Sequence, residues 1–232
     1  MKTSLAIIHA LPLLRCGLAS SAAFTPALID QLIKGHSSDE LASEGEKVST
    51  GASSVNDTLV TITLAPGQYL TGKESHSGSG RHFLGIPYAA PPVGDLRWRT
   101  PQPPVAWTGV RKALDFGASC MQKPDLVYNL GSGAPSEDCL FLNVYAPDPV
   151  DVSTVEASSG LPIMIFFHGG SWESGSGACP LYYGGNLVNN TGAAIVVTVN
   201  YRLSTLGFLG GDALRDPSDG GSTGKRVVDM LS

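Results

Sequence analysis

Along "TLVTITLAPGQYLTG", residues 58–72, apolar and polar side chains alternate, with Pro66-Gly67 between the two halves. A period of two marks a strand with one buried face, so this stretch predicts a β-hairpin turning at the proline and glycine. Further on the pattern changes. "LPIMIFFHGG" (161–170) and "AAIVVTVNYRL" (193–203) are continuous apolar runs, as expected of strands buried on both faces of a parallel sheet. "CLFLNVYAP" (139–147) predicts a further strand ended by proline. Between the two apolar runs, "YYGGNLVNNTG" (182–192) leaves room for a short helical or irregular crossover. Buried strands linked by crossovers indicate the α/β class.

One long segment breaks the pattern. "GRHFLGIPYAAPPVGDLRWRTPQPPVAW" (80–107) has proline at 87, 91, 92, 101, 103 and 104. Each proline lacks an N–H donor and fixes its φ angle. The segment is therefore expected to wrap the surface as extended chain rather than enter a sheet, with Tyr88, Trp98 and Trp107 packing it down.

The N-terminus has a different character. Lys2, the apolar stretch Leu5–Leu14 and the small residues Ala19–Ala23 have the outline of a secretory signal peptide over residues 1–23; an N-terminal core helix is the alternative. Residues 24–57 read as a polar extension: "TPALIDQLIK" (25–34) predicts a short helix, and "GHSSDELASEGEKVSTGASSVND" is a linker too polar to build a core. The folded domain is expected from residue 58 onward.

Composition narrows the partners. A net charge of -5 gives no electrostatic footprint for nucleic acid or an anionic membrane. A small organic substrate or another protein is the more natural partner. No run approaches the ~20 apolar residues of a transmembrane helix. Of the four cysteines, Cys16 would leave with the signal. Cys120, Cys139 and Cys179 remain, which allows at most one internal bridge. Asn56 and Asn189 open N-x-S/T triplets that could carry glycans in a secreted chain. The histidines lack metal-ligand spacing with the cysteines.

Candidate chemistry lies where an apolar strand empties into "FFHGGSW". The loop His168-Gly169-Gly170-Ser171 would expose backbone N–H groups at the carboxyl edge of a parallel sheet, and its glycines allow close approach of a substrate. Two converging N–H groups there would stabilise the oxyanion of a tetrahedral acyl-transfer intermediate. A glycine turn serving only chain reversal is the plainer alternative.

The stretches "FLGIPYAAPPVGDLRWRTPQPPVAW", "SEDCLFLNVYAP", "IMIFFHGGSWESGSG" and "VVTVNYRLSTLGFLGG" resemble, in order and spacing, the N-terminal part of a type-B carboxylesterase. That family includes cholinesterases and many fungal lipases. The resemblance implies the N-terminal portion of an α/β-hydrolase fold, with residues 58–232 as a partial carboxylesterase domain. It also implies oxyanion donors at Gly170 and Ser171, an acyl-pocket aromatic at Trp172, and a disulfide between Cys120 and Cys139. By chain entropy, closing such a loop stabilises by about 3 kcal/mol. Glu137 and Asp138 are then structural, holding nearby backbone or an arginine. The implied substrate is a small-molecule carboxylic ester, with no metal or organic cofactor.

"GGSTG" (220–224) spells the G-x-S-x-G of a nucleophile elbow. However, "GDALRDPSDG" before Ser222 is a charged loop rather than a buried strand. No histidine or glutamate follows Ser222, whereas hydrolases of this fold take their triad in the order Ser, Asp or Glu, His. Ser222 is therefore expected to be a decoy, and the chain a truncated form that ends before the nucleophile elbow and lacks the catalytic triad. The strand ending at His168 would then have an open outer edge prone to self-association. A catalytically silent, cholinesterase-like interaction protein is the alternative function. Either way the chain is expected to be secreted.

Overall fold

The computed structural model describes residues 58–74, 80–123, 133–148, 161–191 and 194–210. The hairpin forms as its alternation predicts. Strand β1 (Thr58–Ala65) pairs antiparallel with β2 (Gln68–Glu74), and Gly67 turns the chain at φ 78°. Ile62, Leu64 and Leu70 are buried, while Thr61 and Thr71 pair hydroxyl to hydroxyl at 2.7 Å.

Contrary to the proline argument, the next segment enters the sheet. Arg81–Pro87 is β3, lying between β2 and β7 (Phe141–Ala146) and antiparallel to both. A proline disturbs only the hydrogen bond its own N–H would have made, and Pro87 is the last residue of the strand. The later prolines do run as non-sheet chain, with a 3₁₀ turn at Gly94–Leu96. Tyr88 is buried and donates its hydroxyl to the Asn200 carbonyl at 2.7 Å. Trp107 is half-buried, whereas Trp98 is 41% exposed but donates its Nε1–H to the Thr205 carbonyl at 3.1 Å.

The β3–β7 register slips at Gly85, where φ is 66° and a Cβ would lie 2.5 Å from the Asp115 carbonyl oxygen. Only glycine fits that bulge. Its N–H donates to Oδ1 of Asn143 at 3.0 Å.

Beyond β7 come β9 (Ile195–Val199), antiparallel to it, and then β8 (Ile163–Phe167), parallel to β9. The main sheet therefore runs β1-β2-β3-β7-β9-β8, with β4 (Gly109–Lys112) added beside β2. A small parallel pair joins β5 (Ala118–Cys120) to β6 (Gly133–Ser136). Helix α1 (Gly184–Thr191) is the crossover from β8 to β9, and α2 (Ser204–Phe208) follows β9.

Burial separates the two apolar runs. In β9 every residue is buried. Ile195, Val197 and Val199 face the large core shared with Phe83, Leu142 and Val144, and Val196 faces a smaller cluster with Tyr145 and Val188 of α1. Among the described residues strand β8 is the edge, and the expectation that it is buried on both faces is not met. None of its residues is fully buried, and Ile165 is 42% exposed. Apolar composition reports what a strand can bury, not which neighbours it has. Among the described residues no helix is long and apolar enough to cross a membrane.

Candidate active site

The apolar run of β8 stops at Phe167, and the chain turns sharply through residues 168–175. His168 is 3% exposed, its ring stacked on Tyr201 with centroids 4.4 Å apart. Tyr201 also donates its hydroxyl to the His168 carbonyl at 2.7 Å. Nδ1 of His168 lies 2.9 Å from the Gly169 carbonyl oxygen; a carbonyl can only accept, so that nitrogen carries the proton. Burial pushes the imidazole down to about 4, against a smaller upward pull from the Gly169 bond. It is therefore neutral at pH 7. Burial likewise raises the Tyr201 phenol to about 12, with Tyr182 adding to the effect.

The loop itself is conformationally unusual. Gly170 has φ 122°, and Ser171 and Trp172 follow at 55° and 61°. Two consecutive non-glycine residues in the left-handed region cost of order 1–3 kcal/mol each. The surrounding bonds hold them there: the Gly170 carbonyl accepts the N–H groups of Glu173 and Ser174, both at 3.1 Å, and the Trp172 carbonyl accepts the N–H of Ser204 at 2.7 Å. A Cβ on Gly170 would fall 2.0 Å from the Ser174 carbonyl oxygen. Among the described residues, no acceptor is found for the N–H groups of Gly170 and Ser171. Both lie just beyond the carboxyl end of β8. Their arrangement can receive an anion or a polarised oxygen. Trp172 is 59% exposed and tilted against Phe208 of α2 at 6.4 Å.

Behind the loop, two side-chain amides organise the backbone. Oδ1 of Asn200 accepts from the N–H of Gly177 (2.8 Å) and the hydroxyl of Ser176 (3.3 Å); its Nδ2 donates to the carbonyls of Ala118 (3.0 Å) and Cys139 (3.2 Å). Gln122 holds Gly175 from the other side. Asn200 left a faint trace in the sequence, as a polar residue ending an apolar strand. Gln122 left none.

Cys120 and Cys139 form a disulfide, and Cys179 is free and buried. Arg97 grips Glu137 with two bonds of 2.6 Å, while the N–H of Asp138 donates to the Ser136 hydroxyl. Asn189 is exposed on α1. Ser222 and Asn56 lie outside the described residues, as do the segments 1–23 and 24–57. Among the described residues, no group of three or more His, Cys, Asp or Glu gathers as a metal cluster.

The profile of the Carboxylesterase family matches residues 56–216. This chain belongs to the carboxylesterase family. It is 44% identical over 160 residues to the fumonisin B1 esterase of Sphingopyxis macrogoltabida, covering 68% of this chain and 28% of that one. The para-nitrobenzyl esterase of Bacillus subtilis is 41% identical over 152 residues, 65% of this chain and 29% of its own. Among solved structures, a thermophilic PNB esterase superposes with TM-score 0.59 at 35% identity, over 71% of this chain and 32% of that one. The carboxylesterase chain described here thus spans under a third of the length of these relatives, and its mixed sheet is a portion of their α/β-hydrolase fold.

Proposed function

We propose that these residues form the oxyanion-binding part of a carboxylic ester hydrolase, with the N–H groups of Gly170 and Ser171 as donors. The observation that carries this reading is the pair of amides that have no acceptor among the described residues, held in a left-handed turn just past the carboxyl end of β8. In the reaction, a serine attacks the ester carbonyl and its oxygen gains a full negative charge. The alcohol leaves, and water then releases the acid from the acyl-enzyme. Donors that meet the charge only as it develops lower the barrier, and losing one costs about 10²–10³ in rate. His168 is neutral and spent on Gly169. It orders the loop rather than serving as a base.

The same reading makes Ser222, preceded in sequence by the charged "GDALRDPSDG" rather than an apolar strand, a bystander. A fluorophosphonate probe tests that part: Ser222→Ala is expected to leave labelling unchanged, and labelling lost in that variant would reverse it. Acetate tests the donors. Its titration should shift the Gly170 and Ser171 amide resonances, and shifts elsewhere only would reject the site. Trp172, beside these donors in sequence, is assigned to the acyl side of the substrate. Export is supported by the disulfide and by the exposure of Asn189; a glycosidase-sensitive mass on the secreted chain is its check.

A further inference from the structure

The turn that carries the two amides has two ends. One is tied by β8. The other is Gly175, and Gly175 cannot tie itself to anything. Its φ is 117°, and a Cβ there would fall 2.3 Å from Nδ1 of His168 and 2.5 Å from the Gly169 carbonyl oxygen. The end of the loop is thus pressed bare against its beginning, with no side chain to anchor it.

Gln122 supplies the anchor from 53 residues away. Its Oε1 accepts the N–H of Gly175 at 2.7 Å, and its Nε2 donates to the Gly175 carbonyl at 2.8 Å. One amide side chain therefore takes both polar groups of one residue, as a neighbouring strand would. The same Nε2 donates to the Cys120 carbonyl at 3.0 Å, and Cys120 is bonded covalently to Cys139. Each amide atom has a partner that only glutamine satisfies, because the oxygen faces a donor and the nitrogen faces two acceptors. Glutamate would set a negative oxygen against two carbonyls.

We infer that Gln122 is a positioning residue for the anion-binding amides: it fixes the Gly175 end of the loop to the disulfide frame and thereby sets where the Gly170 and Ser171 N–H groups point. This rests on the oxyanion reading for its purpose but not for its test. Gly175 touches His168 and Gly169 directly, so a shift at Gly175 is passed to the turn through packed atoms. The Gly170 carbonyl then carries it through its bonds to Glu173 and Ser174.

The test is amide hydrogen exchange and chemical shift on the full chain, without ligand, for wild type, Gln122→Met and Gln122→Glu. Methionine keeps the length and removes both bonds to Gly175. Its exchange there should quicken about thirtyfold, as expected from losing two contacts worth roughly 1 kcal/mol each, and the Gly170 and Ser171 resonances should move. Glutamate keeps the acceptor for the Gly175 N–H. That exchange should change less than in the methionine variant, while Gly170 and Ser171 still move; it also provides the test if the methionine variant does not fold. Unchanged Gly170 and Ser171 resonances would overturn the inference. So would an equal loss of protection at Val197 and Thr198 of β9, since Gln122 would then serve stability alone. A wild-type chain that ignores acetate would count against the hydrolase reading and leave this result standing.

Discussion

The buried imidazole of His168 makes the stability of this fold depend on pH in a calculable way. In the unfolded chain it titrates near 6.5; in the fold, burial holds it down to about 4. The unfolded state therefore binds the extra proton over that window, and stability must fall as pH falls through it. The contribution is fully present above pH 7. The full separation corresponds to about 3 kcal/mol, of which about 2 kcal/mol is lost by pH 5. Carboxylates blur the effect near pH 4, so pH 5 is the better end point. The assay is urea unfolding at pH 7.5 and pH 5, for wild type and His168→Phe, which keeps a ring over Tyr201 but cannot titrate. The variant loses the bond to Gly169 at both pH values, so that penalty cancels in the comparison. Wild type should lose about 2 kcal/mol more than the variant between the two conditions. Curves parallel to within ~0.5 kcal/mol would refute the reasoning. A functional consequence follows from the same neutrality: no imidazolium lies under the loop, so its pull on an oxyanion comes from N–H dipoles and should be flat from pH 5 to 8.

The disulfide closes a loop between residues separated by 19 positions, for which chain entropy gives about 3 kcal/mol. Equilibrium unfolding with and without a phosphine reductant should differ by about that amount, and a difference under ~1 kcal/mol would mean the reduced unfolded chain is already constrained there. Among the described residues β8 has a strand on one side only, with Ile165 at its centre 42% exposed, and we propose that the wild-type chain self-associates through that edge. Light scattering after gel filtration should show the associated species depleted in Ile165→Lys, and a wild-type chain that stays monomeric with cooperative unfolding would contradict the edge argument.

Local features were legible in the sequence and non-local ones were not. The hairpin read over residues 58–72 and the glycine turn after Phe167 each depend on residues adjacent in the chain, so periodicity and turn chemistry found them, whereas the crossover was left between helical and irregular chain and is a helix. Strand β3 was missed because six prolines coloured the whole segment, although only Pro87 belongs to it, at a position where the missing N–H costs nothing. The exposure of β8 was missed for a different reason. Its sequence is as apolar as that of β9, and among the described residues the two differ in having one neighbouring strand or two.

The candidate site divides along the same line. Gly170 and Ser171, the proposed donors, were assigned by the resemblance of "HGGS" to a family loop; the glycines by themselves indicated only that the backbone can turn there. What holds them in place is dispersed: Tyr201 under His168, Asn200 behind Ser176 and Gly177, and Gln122 on Gly175 lie 23 to 53 residues from the partners named. Each acts through one or two hydrogen bonds, and a single glutamine or asparagine creates no period, run or motif. Yet a loop with Ser171 and Trp172 in the left-handed region would relax without such restraints, since the strain is comparable to the bonds that oppose it. The amides that would do the chemistry are thus specified locally, and their direction is specified by side chains the local sequence cannot reveal.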